Sequence, residues 1–155
     1  MKIHLLAVGE RPPAWVRAGF DEYAKRLPPQ MALSLREIRA GRRAKGTDLR
    51  RLVREEGERL LAAVPKGAYL VALDRTGREL ATEELATELR AQMRRGGDLV
   101  LLIGGPEGLS QECCARAQAR WSLSRLTLAH PLVRVVVAEQ IYRAWSIINV
   151  HPYHR

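Results

Sequence analysis

Three groups of residues in this chain have types and spacings that could do chemistry. The first is Leu99-Val100-Leu101-Leu102-Ile103-Gly104-Gly105-Pro106-Glu107-Gly108-Leu109, an apolar run that ends in a glycine-rich turn. Such a run suits a strand buried on both faces. Glycines at its end let a ligand approach bare main chain. Taken alone, the stretch is either a cofactor loop or an ordinary strand-to-helix turn. Gly104–Gly108 is neither G-x-G-x-x-G nor G-x-x-x-x-G-K-S/T, so dinucleotide and P-loop binding are unsupported. Glu107, read at a helix start, would repel a phosphate there. The sign favours a neutral or cationic cofactor, and a sulfonium methyl donor is one such molecule.

The second group is the tail His151-Pro152-Tyr153-His154-Arg155, with two imidazoles, an aromatic ring and a cation in five residues. It reads either as a frayed end or as part of a nucleobase site, which needs a stacking face, a cation and a titratable ring. The third is basic. Between Arg36 and Arg54 stand eight basic residues and two acids, a local balance of +6 within a net charge of +9. Its centre is the glycine-punctuated loop Ala40–Gly46, where Arg42, Arg43 and Lys45 suit phosphate contacts that carry affinity without sequence information. A solvated helix face beside a loose loop is the alternative. The chain's overall basicity also favours a polyanionic partner, nucleic acid being the commonest.

Other chemistries find little support. Cys113 and Cys114 are neighbours that make a poor disulfide pair, and no spaced Cys/His set signals a metal. No Ser/His/Asp or Cys/His grouping can be assembled from spacing. His130, just before Pro131, reads as a structural residue at a helix start. No stretch is long and apolar enough to span a membrane, and the N-terminus reads as a strand and not a signal peptide. Cysteine usage points to the cytoplasm.

Positioning these groups falls to alternating strands and helices. Strands are expected at Lys2–Val8, Met31–Arg39 and Tyr69–Leu73, the last closed by a turn at Asp74-Arg75-Thr76-Gly77, and again at Leu99–Ile103. Trp121–Leu128 alternates apolar and polar residues as a strand does. Helices are expected over Ala14–Arg26, Leu49–Ala63 (capped by Thr47 or Asp48), Thr82–Met93 (capped by Thr82), Ser110–Ala119 and Pro131–Ile148. The last is apolar nearly all round, more than one small domain buries, so part of it should face a second subunit. The pattern gives one α/β domain over 1–155 with a mostly parallel sheet flanked by helices.

The ordered motifs Leu73-Asp74-x-x-Gly77, Leu102-Ile103-Gly104-Gly105-Pro106-Glu107-Gly108 and Ser122-Leu123-Ser124-x-Leu126-Thr127 resemble the ribosomal RNA large subunit methyltransferase H family. So do His130-Pro131-Leu132-x-Arg134, Ala138-Glu139-Gln140-x-Tyr142-Arg143-Ala144 and Pro152-Tyr153-His154-Arg155. The resemblance runs over essentially the whole chain. It implies a SPOUT-superfamily enzyme, homodimeric, with a C-terminal trefoil knot. Such an enzyme transfers the methyl of S-adenosylmethionine to N3 of a pseudouridine in 23S rRNA on the ribosome, without a metal. By carry-over, Leu73, Gly104 and the run Leu123, Ser124, Arg125, Leu126, Thr127 and Leu128 surround the cofactor. For catalysis the expectation is His154 near the base and Arg143 on the developing anion or a phosphate, with Tyr142 and Arg155 on substrate RNA beside Arg42, Arg43 and Lys45. Ala81-Thr82 and Ala129 depart from the pattern, where a serine and a proline are common. A ribosome-binding factor without chemistry and a tRNA methyltransferase are the competing readings.

Overall fold

Short apolar runs, buried on both faces at the centre of the sheet, build five strands, all of them parallel. A computed structural model describes residues 1–155. The strands are β1 (Ile3–Val8), β2 (Leu33–Ile38), β3 (Tyr69–Glu79), β4 (Leu99–Ile103) and β5 (Ala119–Ser122), in the order β2-β1-β4-β3-β5. Parallel neighbours need crossovers, so helices cover both faces. These are α1 (Ala14–Ala24), α2 (Leu49–Ala62), α3 (Thr82–Arg95), α4 (Gln111–Arg116) and α5 (His130–Ile148). No helix is long and apolar enough to cross a membrane.

The strand period of two splits the core. Ile3, Leu5, Leu99, Leu101 and Ile103 pack with Phe20 of α1, Leu89 of α3 and Val137 and Ile141 of α5. Leu6, Val8, Val100 and Leu102 pack with Leu60 and Leu61 of α2 and Cys113 of α4. Every residue of β4 is buried, as an apolar run in a doubly covered sheet requires.

Four sequence expectations change in detail. Asp74-Arg75-Thr76-Gly77 does not end β3. Asp74 Oδ1 accepts from the Thr76 N–H at 2.8 Å, and this local turn is carried within the strand as a register shift between Leu73 and Arg78. Trp121–Leu128 does not continue as a strand. Ser122 Oγ donates to the Ser124 carbonyl, and Ser124 Oγ accepts from the Leu126 N–H. Serine hydroxyls thereby divert the backbone from the ladder. Helix α4 stops at Arg116 because Gln118 already belongs to the sheet edge: its N–H donates to the Leu70 carbonyl and its side-chain oxygen accepts from the Leu70 N–H. Finally, Asp48 caps α2 as expected, but Thr82 does not cap α3. The Glu84 carboxylate accepts from the Ala81 N–H, and the Thr82 hydroxyl donates to Gln140 of α5.

Because all strands run one way, the loops after β1 to β5 emerge at one edge. In open α/β sheets that edge is where ligands bind.

Candidate functional site

The turn within β3 and the loops after β4 and β5 enclose a cleft at this edge. It is open to solvent, with a cavity volume of about 150 Å³. Of the residues expected around a cofactor, Leu73, Gly104, Leu123, Ser124, Leu126, Thr127 and Leu128 line it together. Arg125 does not. Its side chain is exposed, with Nε 3.8 Å from Glu79.

Gly104 owes its identity to the turn beside it. A Cβ there would lie 2.3 Å from the carbonyl carbon of Gly108, so no larger residue fits. The Gly108 N–H donates to the Gly105 carbonyl at 2.9 Å, closing a turn with Pro106 and Glu107 at its tip. Proline suits the first tip position by its fixed φ. Glu107 therefore stands on a turn and not at a helix start, and Arg43 compensates its charge. Because Arg43 also pairs with Glu56, the group of three keeps a net negative charge. The lining itself is mostly apolar side chains with serine and threonine hydroxyls, its one acid Asp74 and one cation Arg75 offsetting each other.

Arg75, which spacing could not single out, reaches across the cleft mouth. Its Nη1 donates to the Thr127 hydroxyl at 2.9 Å, joining the turn within β3 to the loop after β5. Asp74 also lines the cleft, and its carboxylate accepts from Thr76 and from the Cys114 thiol. These bonds hold its pKa below the ordinary carboxylate range, the Thr76 N–H foremost. Burial pushes the Cys114 and Cys113 thiols up, so neither is an activated nucleophile.

The basic loop lies at the same edge, after β2. Arg42 and Lys45 are exposed and form no ion pair, whereas Arg43 turns inward to Glu56 and Glu107. His130 and Arg134 form the root of α5 beside the end of β1. The buried Arg134 guanidinium donates through Nη2 to the carbonyls of Val8 and Gly9. Burial lowers the pKa of His130, with the Arg134 charge beside it acting in the same direction.

The tail is elsewhere in the chain. Residues 152–154 form a single 3-10 turn that packs back on the far half of α5, with the Tyr153 and Tyr142 rings 4.5 Å apart. Arg143 is held by the Glu139 carboxylate, Nε to Oε1 at 2.8 Å, and the Tyr153 hydroxyl donates to the same oxygen at 3.1 Å. Val133 borders the cleft, and Arg143 is ten residues further along the helix, about 15 Å at the helical rise. Tyr142 and Arg143 thus cluster with Tyr153 of the tail, away from the cleft of their own chain, and His154 and Arg155 follow Tyr153 in sequence.

At the opposite edge the fold assembles what sequence spacing could not. His4 Nε2 lies 3.0 Å from Asp98 Oδ2, and Ser34 Oγ lies 3.4 Å from His4 Nδ1. The trio joins the starts of β1, β2 and β4, with Asp98 also accepting from the Lys2 N–H. No group of three or more His, Cys, Asp or Glu side chains is placed to hold a metal ion.

A doubly covered parallel sheet with a glycine-walled cleft at its carboxyl edge defines an open-sheet α/β protein of the ligand-binding kind. Residues 1–154 match the family described as "Predicted SPOUT methyltransferase". The chain belongs to this SPOUT methyltransferase family. It is also 57% identical over 155 residues to "Ribosomal RNA large subunit methyltransferase H" of Thioalkalivibrio sulfidiphilus, covering 100% of this chain and 99% of that protein. It is 54% identical to the protein of the same name from Methylococcus capsulatus, covering 100% of both.

Proposed function

We propose that this chain, a single domain over 1–155, is an S-adenosylmethionine-dependent methyltransferase acting on N3 of a pseudouridine in 23S ribosomal RNA. The observation that carries this is the cleft: three chain segments separated in sequence converge there around a turn that only glycine permits. The lining suits the donor chemically, with apolar walls for its uncharged parts and hydroxyls for its polar edges. The donor supplies an electrophilic methyl on a sulfonium, which passes to the ring nitrogen and leaves a neutral thioether. Leu73, Gly104, Leu123, Ser124, Leu126, Thr127 and Leu128 would hold it, with Arg125 outside the cleft. Arg75 closes the cleft mouth.

N3 of pseudouridine carries a proton that must leave as the methyl arrives. His154 is the proposed acceptor, and the Arg143 cation stabilises the imide anion that develops. Tyr142 packs the base, and Arg155, Arg42 and Lys45 meet phosphates. Because the tail cluster is about 15 Å from the cleft of its own chain, the tail of a second subunit is the one that completes each site. Half-buried Leu132, Val133, Val136, Ile147 and Ile148 on α5 supply the apolar face for such a dimer. The C-terminal knot belongs to the same reading, as does action on ribosomes in the cytoplasm.

Titration calorimetry with S-adenosylhomocysteine tests the cleft. One molecule bound per chain is expected, and absence of binding overturns the proposal.

A further inference from the structure

Arg43 and Glu107 are 64 residues apart in sequence, yet one guanidinium joins the basic loop to the glycine turn. Arg43 Nη2 donates to Glu107 Oε2 at 2.6 Å and to Glu56 Oε1 at 3.0 Å. Its Nε donates to both Glu107 oxygens at 3.1 Å, and Nη1 donates to Glu56 Oε2 and to the Gly41 carbonyl. The Glu56 carboxylate, 3% exposed, also accepts from the Gly41 N–H at 2.8 Å. A Cβ on Gly105 would lie 3.0 Å from Arg43 Nη2, so the guanidinium rests directly on the turn backbone. The tip of that turn is Glu107, and its base, Gly104, Gly105 and Gly108, walls the cleft.

Every donor of Arg43 has an internal acceptor. Two carboxylates around one guanidinium also leave the group net negative, which repels a phosphate. Spacing alone placed Arg43 with the RNA contacts, and the geometry places it elsewhere. We infer that Arg43 is a positioning residue for the methyl donor: it latches the glycine turn to α2, while its neighbours Arg42 and Lys45 face the RNA. The basic loop would then do two separable jobs. The inference rests on the reading of the cleft as the donor site.

The test sets two readouts against each other across single variants. Arg43→Ala and Glu107→Gln should each weaken S-adenosylhomocysteine binding about tenfold, the scale of a coupling between neighbouring sites. The double variant should be no weaker than the poorer single, because both remove one latch. Arg43→Lys should recover part of the affinity. The salt dependence of ribosome binding should keep its wild-type slope in Arg43→Ala and flatten in Arg42→Ala and Lys45→Ala, which in turn keep wild-type donor affinity. Glu107→Gln is isosteric on a partly exposed turn, so it reports even if Arg43→Ala fails to fold. Donor affinity within twofold of wild type in Glu107→Gln overturns the latch alone, as does additivity of the two variants. Failure of the wild-type chain to bind S-adenosylhomocysteine overturns the donor reading and the latch with it.

Discussion

Glu56 is 2% exposed, and a buried carboxylate on an amphipathic helix makes sense only once Arg43 is set beside it. The same guanidinium holds Glu107 below its ordinary pKa. A depressed carboxylate stabilises the fold above its unfolded value of about 4.3 and loses that effect as pH falls through the folded value. Donor affinity should therefore be flat from about pH 6 to 8 as far as this pair is concerned, and decline in acid. Tyr153 has the opposite sign. Burial, aided by the bond to Glu139, raises its pKa to about 12. Its neutral phenol stabilises the tail fully below about pH 10, an effect lost as pH rises through about 12. In an alkaline absorbance titration the late tyrosine step should vanish in Tyr153→Phe, at a stability cost of about 1 kcal/mol. Arg134→Ala should cost more, about 3 kcal/mol by thermal unfolding, since it strands the Val8 and Gly9 carbonyls and leaves a hole.

At the level of elements, periodicity was a good guide wherever side chains pack on a continuous core. The ends of β1, α2 and α5 lie within a residue or so of their expected positions because their apolar spacing decides them. Periodicity misled where short polar side chains bond locally. Asp74 carries a turn inside β3, and Ser122 with Ser124 ends β5 early; both act through hydrogen bonds that a hydropathy pattern does not register. The convergence of Leu73, Gly104 and residues 123–128 was legible only through the resemblance, since spacing alone does not relate the three segments. The inward turn of Arg43 was legible in neither way, because a basic cluster looks alike whether its members face water or carboxylates. Ser124→Ala removes the acceptor that bends the loop toward the cleft. It should weaken S-adenosylhomocysteine binding several-fold and leave the melting temperature nearly unchanged, because the loop carries little of the core.

For the molecule as a whole, the distance along α5 makes the decisive statement. The cleft is at the start of this helix and the tail cluster at its end, so the proposed site needs the tail of a second copy. Two copies that join along α5 can exchange ends. Sedimentation should give a dimer, and charged substitutions at Val136 should dissociate it and abolish activity together. Mixing an inactive cleft variant with an inactive His154→Ala variant should restore part of the activity through dimers that carry one intact composite site; no recovery would place both halves of the site in one subunit.

The most direct measurement is methyl transfer itself. Ribosomes from a strain that lacks this chain, incubated with the purified protein and methyl-labelled S-adenosylmethionine, should take up one label per large subunit. Mass spectrometry of the 23S rRNA should place that label on N3 of a single pseudouridine. Label confined to another RNA, or no transfer by a protein that binds S-adenosylhomocysteine, would contradict the proposed activity.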